Sequence, residues 1–324
     1  MEKDNKLKRI EHKTMIDKIV KYAFLSICVF CSLCVVFIAL FIFIKGITPF
    51  FKKYETSVGL KSVNFFKFIF GGTWFKSPNI YGAGYIVINT LIVVMLSLLI
   101  SVPLSILTAL FVVRIAPKKL SMLLSIVIEL LSGIPSIIYG LFGLGVLTKL
   151  VEGLGSIFGI QTAGGISLLA TVLVLSIMIL PTITTIAITS ISSVNNSLIL
   201  GSLALGASQT QTNFKVVLIG AKSGIFSGII LGIGRALGEA TAITMVCGNS
   251  GSGISFNPFD ITRTLTSTML QGIHESSGMD YDIRFSIGLL LIVIIIVTNL
   301  SLNLIKNRIG NNDGNKKKNK RSAS

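Results

Sequence analysis

The sequence predicts an all-α membrane protein with six membrane-spanning helices, and three observations carry that prediction. Hydrophobic residues make up 52% of the chain and charged residues only 13%, about half the charged share of an ordinary soluble domain. Apolar runs recur that are long enough to cross ~30 Å of hydrocarbon, which takes about 20 residues as a helix. These runs are continuous, not alternating. That excludes a barrel of ~10-residue strands and leaves helices as the form that satisfies backbone polar groups in lipid.

The runs fall near residues 22–44, 85–113, 123–147, 166–188, 220–247 and 285–305. The first follows a basic segment but is too long for a secretory signal, whose apolar core has roughly 7 to 15 residues before a small-residue cleavage site. It contains Cys28, Cys31 and Cys34, with Cys247 the remaining cysteine. A cluster ligand set needs a fourth cysteine nearby, so these three are expected to pack as small residues. Pro103, Pro135 and Pro181 lie inside the second, third and fourth runs and predict kinks there.

The formal net charge is +16, and the positions of the charges say what it means. Lys3, Lys6, Lys8, Arg9, Lys13, Lys18 and Lys21 precede the first run, and Lys306, Arg308, Lys316, Lys317, Lys318, Lys320 and Arg321 follow the last. Arg114, Lys118 and Lys119 fall in a connection on the same side, as do Lys215 and Lys222, whereas the other side receives fewer, chiefly Lys52, Lys53 and Lys61. An even number of spans with both tails cytoplasmic satisfies the positive-inside rule, and the tails can touch anionic lipid. Nucleic acid is not expected as a partner, because no aromatics are interleaved with the basic residues.

The expected organisation is a basic cytoplasmic tail (1–21), a six-span domain (22–306) and a disordered cytoplasmic tail (307–324). The first outer connection, residues 45–84, is rich in phenylalanine and suits the membrane interface. The last, residues 248–284, is rich in Gly, Ser and Thr and reads as a flexible lid or docking loop.

In the fifth run Gly220, Gly224, Gly228, Gly232, Ala236 and Ala240 recur every four residues, a bare face that lets another helix approach closely. Beside it stand Arg235 and Glu239, four apart and so on one face if the helix is continuous. A charge at mid-membrane costs ~2.5 to 3.5 kcal/mol on insertion scales, so both should face the bundle interior, a water-filled path or each other. They read either as an ion pair that fixes packing or as a substrate contact, with Arg235 meeting an anion and Glu239 orienting it. Glu129, in the third run, is the other ionisable residue well inside a span, and Arg235 is its candidate partner.

No nucleotide site is present. GAKSG at Gly220–Gly224 lacks the preceding glycine and the Gly-Lys pair of a phosphate loop, and GIGRALG is one residue too long for a dinucleotide fingerprint. His12 and His274 are isolated, so neither metal nor triad chemistry is supported. The chain is expected to bind no cofactor. If ATP drives transport, another chain hydrolyses it.

Three stretches resemble a known family: ELLSGIPSIIYGLFGL (Glu129–Leu144), LALGAS (Leu203–Ser208) and GRALGEATAITMVCGN (Gly234–Asn249). They are similar to the membrane permeases of bacterial ABC importers, and specifically to the phosphate permease subunits of the PstC family. The likeness takes in most of the chain apart from the tails. It implies a six-span type I importer permease without enzymatic activity of its own. The implied partners are a sister permease subunit of the PstA type, two ATPase subunits and an extracytoplasmic phosphate-binding protein. It also implies a cytoplasmic coupling loop at about 192–215, with Gly206 on the family's loop glycine. Leu200, Gly201 and Ser202 stand where the family has E-A-A, and Ile219 replaces a proline. A loop without the acid is left to engage the ATPase by packing. The competing classes are a self-contained channel or secondary transporter and a non-transporting scaffold, which would leave Arg235 and Glu239 as structural glue.

Overall fold

The computed structural model describes residues 2–56, 59–76 and 79–321, with side-chain surroundings for most of 17–306. The greater part of the expected basic tail, residues 1–21, lies outside the described side chains. Six helical stretches are long and apolar enough to span a membrane: Asp17–Phe51, Gly84–Ile115, Ser136–Ile157, Leu168–Ser192, Gln209–Gly238 and Gly278–Lys306.

The first helix, α1 (Glu2–Phe51), is uncovered by the rest of the chain over most of its span, with Phe24, Phe30 and Val35 each about two-thirds exposed. Apolar surface left bare on that scale belongs in lipid. α1 touches the bundle near its end, where Ser286 Oγ donates to Gly46 O at 2.6 Å.

Two hairpins follow, β1 (Tyr54–Thr56) with β2 (Gly59–Lys61) and β3 (Trp74–Phe75) with β4 (Ile80–Tyr81), separated by α2 (Phe65–Phe70). The phenylalanine-rich connection therefore does more than line an interface. Phe68, Trp74 and Tyr81 are buried in a cluster with Ile283 and Ile287, while Phe51, Phe66 and Phe70 stay exposed.

The centre is α3 (Gly84–Leu110) against α7 (Leu168–Ser192). Ser97, Ser101 and Ser105 form a small polar stripe along α3, and all three are buried. Ser97 Oγ donates to Val172 O at 3.2 Å, Ser105 Oγ to Leu180 O at 3.1 Å, and Ser176 Oγ returns a bond to Ser97 O at 3.2 Å. Small hydroxyl residues of this kind bring backbones close and bond across helices in a membrane. Pro103 and Pro181 sit inside continuous helices.

The third span departs from the sequence reading. Residues 118–133 form α4 (Lys118–Gly133), which stops at Ile134, and the span is built from α5 (Ser136–Phe142), a π turn and α6 (Thr148–Ile157). Pro135 is the cause: it lacks an N–H and holds the preceding residue extended, at φ −67° and ψ 128° for Ile134. Pro135 thus breaks this helix where a kink was expected.

Beyond α7, α8 (Asn196–Ala204) and α9 (Gln209–Thr212) lead into α10 (Leu218–Gly238). The second part of the fifth run is a separate helix, α11 (Thr241–Val246). Residues 248–264 fold back on the hairpins. Trp74 N donates to Gly251 O at 2.7 Å and Tyr85 Oη to Ser250 O at 3.0 Å. Next come α12 (Leu265–Leu270), with Leu265–Thr268 buried, and α13 (Gly278–Arg321). The Gly/Ser/Thr-rich connection is therefore a packed cap and not a loose lid: its hydroxyls serve each other and the backbone, as in the Thr264–Ser267 capping box. The backbone of α13 continues helically through the expected disordered tail as far as Arg321, and the side chains of 307 and 309–324 lie outside the described residues.

Candidate functional site: a cationic cavity at Arg235

The glycine stripe positions α10. A Cβ built on Gly220 would meet Val194, on Gly224 Ser190, on Gly228 Ile186 and on Gly232 Ile183, the last three within 3.1 Å. From Gly224 to Gly232 the stripe lies along one face of α7, and the absence of a side chain there allows the close approach.

That approach carries Arg235 to α7 and α13. Its Nη1 donates to Thr182 Oγ1 at 2.6 Å, and Tyr139 of α5 lies within electrostatic reach of the guanidinium. A cavity of about 640 Å³ opens beside it, lined by Thr182, by Ser227, Gly234 and Arg235 of α10, and by Asn299, Asn303 and Lys306 of α13. The polar lining holds two cations and no carboxylate, so the cavity favours an anion. Asn299 and Asn303 escaped the sequence reading, and Lys306 entered it only as a charge of the tail. Their spacing of four and three puts them on one face of a helix, and that periodicity was the available signal.

Glu239 is not on that face. α10 ends at Gly238, and Glu239 is extended at φ −71° and ψ 123°. Its Oε1 accepts from Ala242 N at 3.0 Å, which satisfies one of the free N–H groups of α11. The expected i, i+4 relation with Arg235 fails because the helix is interrupted. A buried backbone donor left without an acceptor is costly, and the buried carboxylate is what satisfies it.

Glu129 is exposed on α4, outside the span Ser136–Ile157, and among the described residues no ion pair joins it to Arg235. The expectation that placed it inside a span and beside Arg235 is corrected by the break at Pro135.

Residues 192–215 form a compact turn at the other end of α7. Ile199 is buried against α3, α7 and α10, and Ser202 Oγ lies 3.0 Å from Thr212 Oγ1. Gly206 adopts φ +81°, which lets the chain reverse before the Ser208–Gln211 capping box. Leu200 is 65% and Leu205 91% exposed, while a Cβ on Gly201 would meet nothing. The turn therefore carries an apolar, acid-free surface. Among the described residues no group of three His, Cys, Asp or Glu side chains is placed to hold a metal, and Cys28, Cys31 and Cys34 are exposed on α1.

Six spans with an interrupted helix beside a charged cavity define a membrane transport subunit. A solved structure that shares the fold is a bacterial alginate ABC transporter, in complex with its alginate pentasaccharide-bound periplasmic protein, which matches with a TM-score of 0.65 over 92% of this chain and 97% of that one, at 18% identity. The model of the binding-protein-dependent transport system inner membrane component family matches residues 101–311, and the chain belongs to that family. Relatives include the phosphate transport system permease protein PstC of Pasteurella multocida, 32% identical over 71% of this chain and 76% of its own length. The protein of that name from Mesorhizobium japonicum is 34% identical over 71% and 74%. The probable ABC transporter permease protein YqgH of Bacillus subtilis is 33% identical over 79% and 80%.

Proposed function

We propose that this chain is the subunit of an ATP-driven importer that conducts inorganic phosphate through the plasma membrane, and that Arg235 meets the anion in transit. The single observation that carries the reading is the cavity of about 640 Å³ in which Arg235 and Lys306 face polar side chains without a carboxylate. A guanidinium offers planar donors to phosphate oxygens, and threonine and asparagine supply neutral donors beside it. Relatives named for phosphate transport support the substrate.

On this reading both termini are cytoplasmic, which the excess of basic residues at the two ends supports. The partners are a sister permease of the PstA type, two ATPase subunits and an extracytoplasmic phosphate-binding protein. ATP hydrolysis belongs to the ATPase chains, and this subunit holds no cofactor. Leu200, Gly201, Ser202 and Gly206 belong to the surface that meets the ATPase, with Leu200 and Leu205 presented to it. Closure of the ATPase pair would then tilt α7 and α10 together through residues 192–215.

Uptake of labelled phosphate by cells carrying Arg235→Gln tests the proposal. Loss of uptake with the protein still in the membrane is expected. Import at the unaltered rate overturns it.

A further inference from the structure

We propose that the hairpin end of the bundle carries a second anion site, in which Arg263, Arg284 and Lys76 hold a small tetrahedral oxyanion of the phosphate or sulfate class. A cavity of about 540 Å³ lies there, between Trp74, Phe75 and Lys76, the turn at Gly251, the end of α12 and the first turns of α13. It is separate from the Arg235 cavity and shares no residue with it.

Two arginines line it, each only 8% exposed. Arg284 is largely engaged: Nη1 donates to Thr268 O at 2.7 Å and to Gln271 O, and Nη2 to Asp280 Oδ2 at 3.4 Å. Arg263 is not. Its Nη2 donates to Gln271 Oε1 at 3.1 Å and the Tyr85 phenol lies beside the guanidinium, but among the described residues Nε and Nη1 have no hydrogen-bond partner, and neither has Arg284 Nε. Buried guanidinium nitrogens without acceptors are rare in folded chains and point to a missing ligand.

Charge agrees with the donors. Three cations face two carboxylates around this cavity, Glu275 and Asp280. Asp280 Oδ2 is already shared between Arg284 and Lys76, the latter at 3.8 Å, and among the described residues no carboxylate bonds to Arg263. Asp280 Oδ1 has no partner among the described residues, and its charge opposes an anion on the Arg284 side of the cavity, which leaves Arg263 as the favoured contact. Lys76 Nζ, which also donates to Glu275 O at 3.2 Å, stands at the rim on a side chain that is 64% exposed.

The number of free donors selects the ligand. Two nitrogens of Arg263 and one of Arg284 call for three acceptor oxygens on one small body. A tetrahedral oxyanion has them, whereas chloride has a single acceptor centre and a carboxylate only two oxygens. The use of this site as an entry point for the transported ion rests on the proposed import function, but the binding itself does not.

Trp74 is the sole tryptophan of the chain and lines the cavity, so its fluorescence reports occupancy. The full chain in lipid nanodiscs is titrated with inorganic phosphate, sulfate and chloride at matched ionic strength. A saturable change with phosphate and sulfate, absent with chloride and abolished in Arg263→Gln, is expected. Lys76→Gln alters an exposed side chain and leaves the fold intact, and it should weaken apparent affinity about three- to tenfold, the more so at low salt. A phosphate response no larger than that of chloride overturns the proposal. So does a response that Lys76→Gln leaves untouched, or one elicited only by an acidic peptide, which would make the cavity a socket for a partner's side chain. Arg235→Gln should keep the Trp74 response while losing uptake, so failure of the import reading and failure of this site give different results.

Discussion

Arg235 of α10 bonds across to Thr182 of α7 at 2.6 Å, and not along its own helix to Glu239. The hydroxyl follows Pro181, so the arginine is held by the helix whose surface the α10 glycine stripe occupies. Thr182→Val removes the acceptor at nearly constant volume. Hydrogen bonds to charged groups are worth about 1.5 to 3 kcal/mol, so a fall in uptake of roughly tenfold or more is expected, with Thr182→Ser restoring it. Initial rates of phosphate uptake at equal membrane abundance decide the point.

Glu239 separates charge from hydrogen bonding. Its Oε1 serves Ala242 N, and a glutamine oxygen can do the same. Glu239→Gln should therefore melt within about 0.5 kcal/mol of the parent, whereas Glu239→Ala strands the donor and should cost ~1 kcal/mol or more. Thermal unfolding of the two purified variants gives the comparison. Equal melting of the alanine variant and the parent would remove the capping role.

The existence of six spans was legible because apolar length is a one-dimensional quantity. Their limits were not, where the chain breaks within an apolar run. Pro135 divides residues 123–147 into two helices of different use, which took Glu129 out of the third span. Gly238 ends α10 one residue before Glu239, and the i, i+4 rule presumes a helix that continues. Arg235 stood out because charge at depth is costly. Asn299 and Asn303 are neutral and draw no such notice, although their spacing with Lys306 was there to count. Arg263 and Arg284 lie 21 residues apart, and only the folding of residues 248–264 onto the hairpins makes them neighbours.

Glycines on the stripe differ sharply from glycines off it. A Cβ at Gly224 would lie 2.2 Å from Ser190 Oγ and 2.7 Å from Ser190 Cβ, while one at Gly234 meets nothing within 4 Å. Gly224→Ala should destabilise by about 1 to 3 kcal/mol through overpacking, and Gly234→Ala should be neutral or slightly stabilising in the helix. Adding Ser190→Gly to Gly224→Ala opens the space again. Recovery of at least half the loss in the double variant, read from melting curves, is the expected mark of direct contact.

The turn at 192–215 offers Leu200 and Leu205 to its surroundings while Ile199 on the same helix is buried in the bundle. A docking surface made this way depends on apolar packing and carries no acid to form an ion pair, so salt should weaken the assembly little. A charge placed on it, by contrast, should be disruptive. Leu200→Glu leaves the buried face alone and should preserve insertion and melting temperature, yet it desolvates a carboxylate against whatever helix or groove covers the site. Loss of the co-purifying ATPase, with the Trp74 environment and the membrane abundance unchanged, is the expected outcome. Retention of the ATPase by Leu200→Glu and Leu205→Glu alike would place the contact elsewhere on the chain, since each of these two leucines is more than half exposed and together they make up the most open apolar surface of the turn.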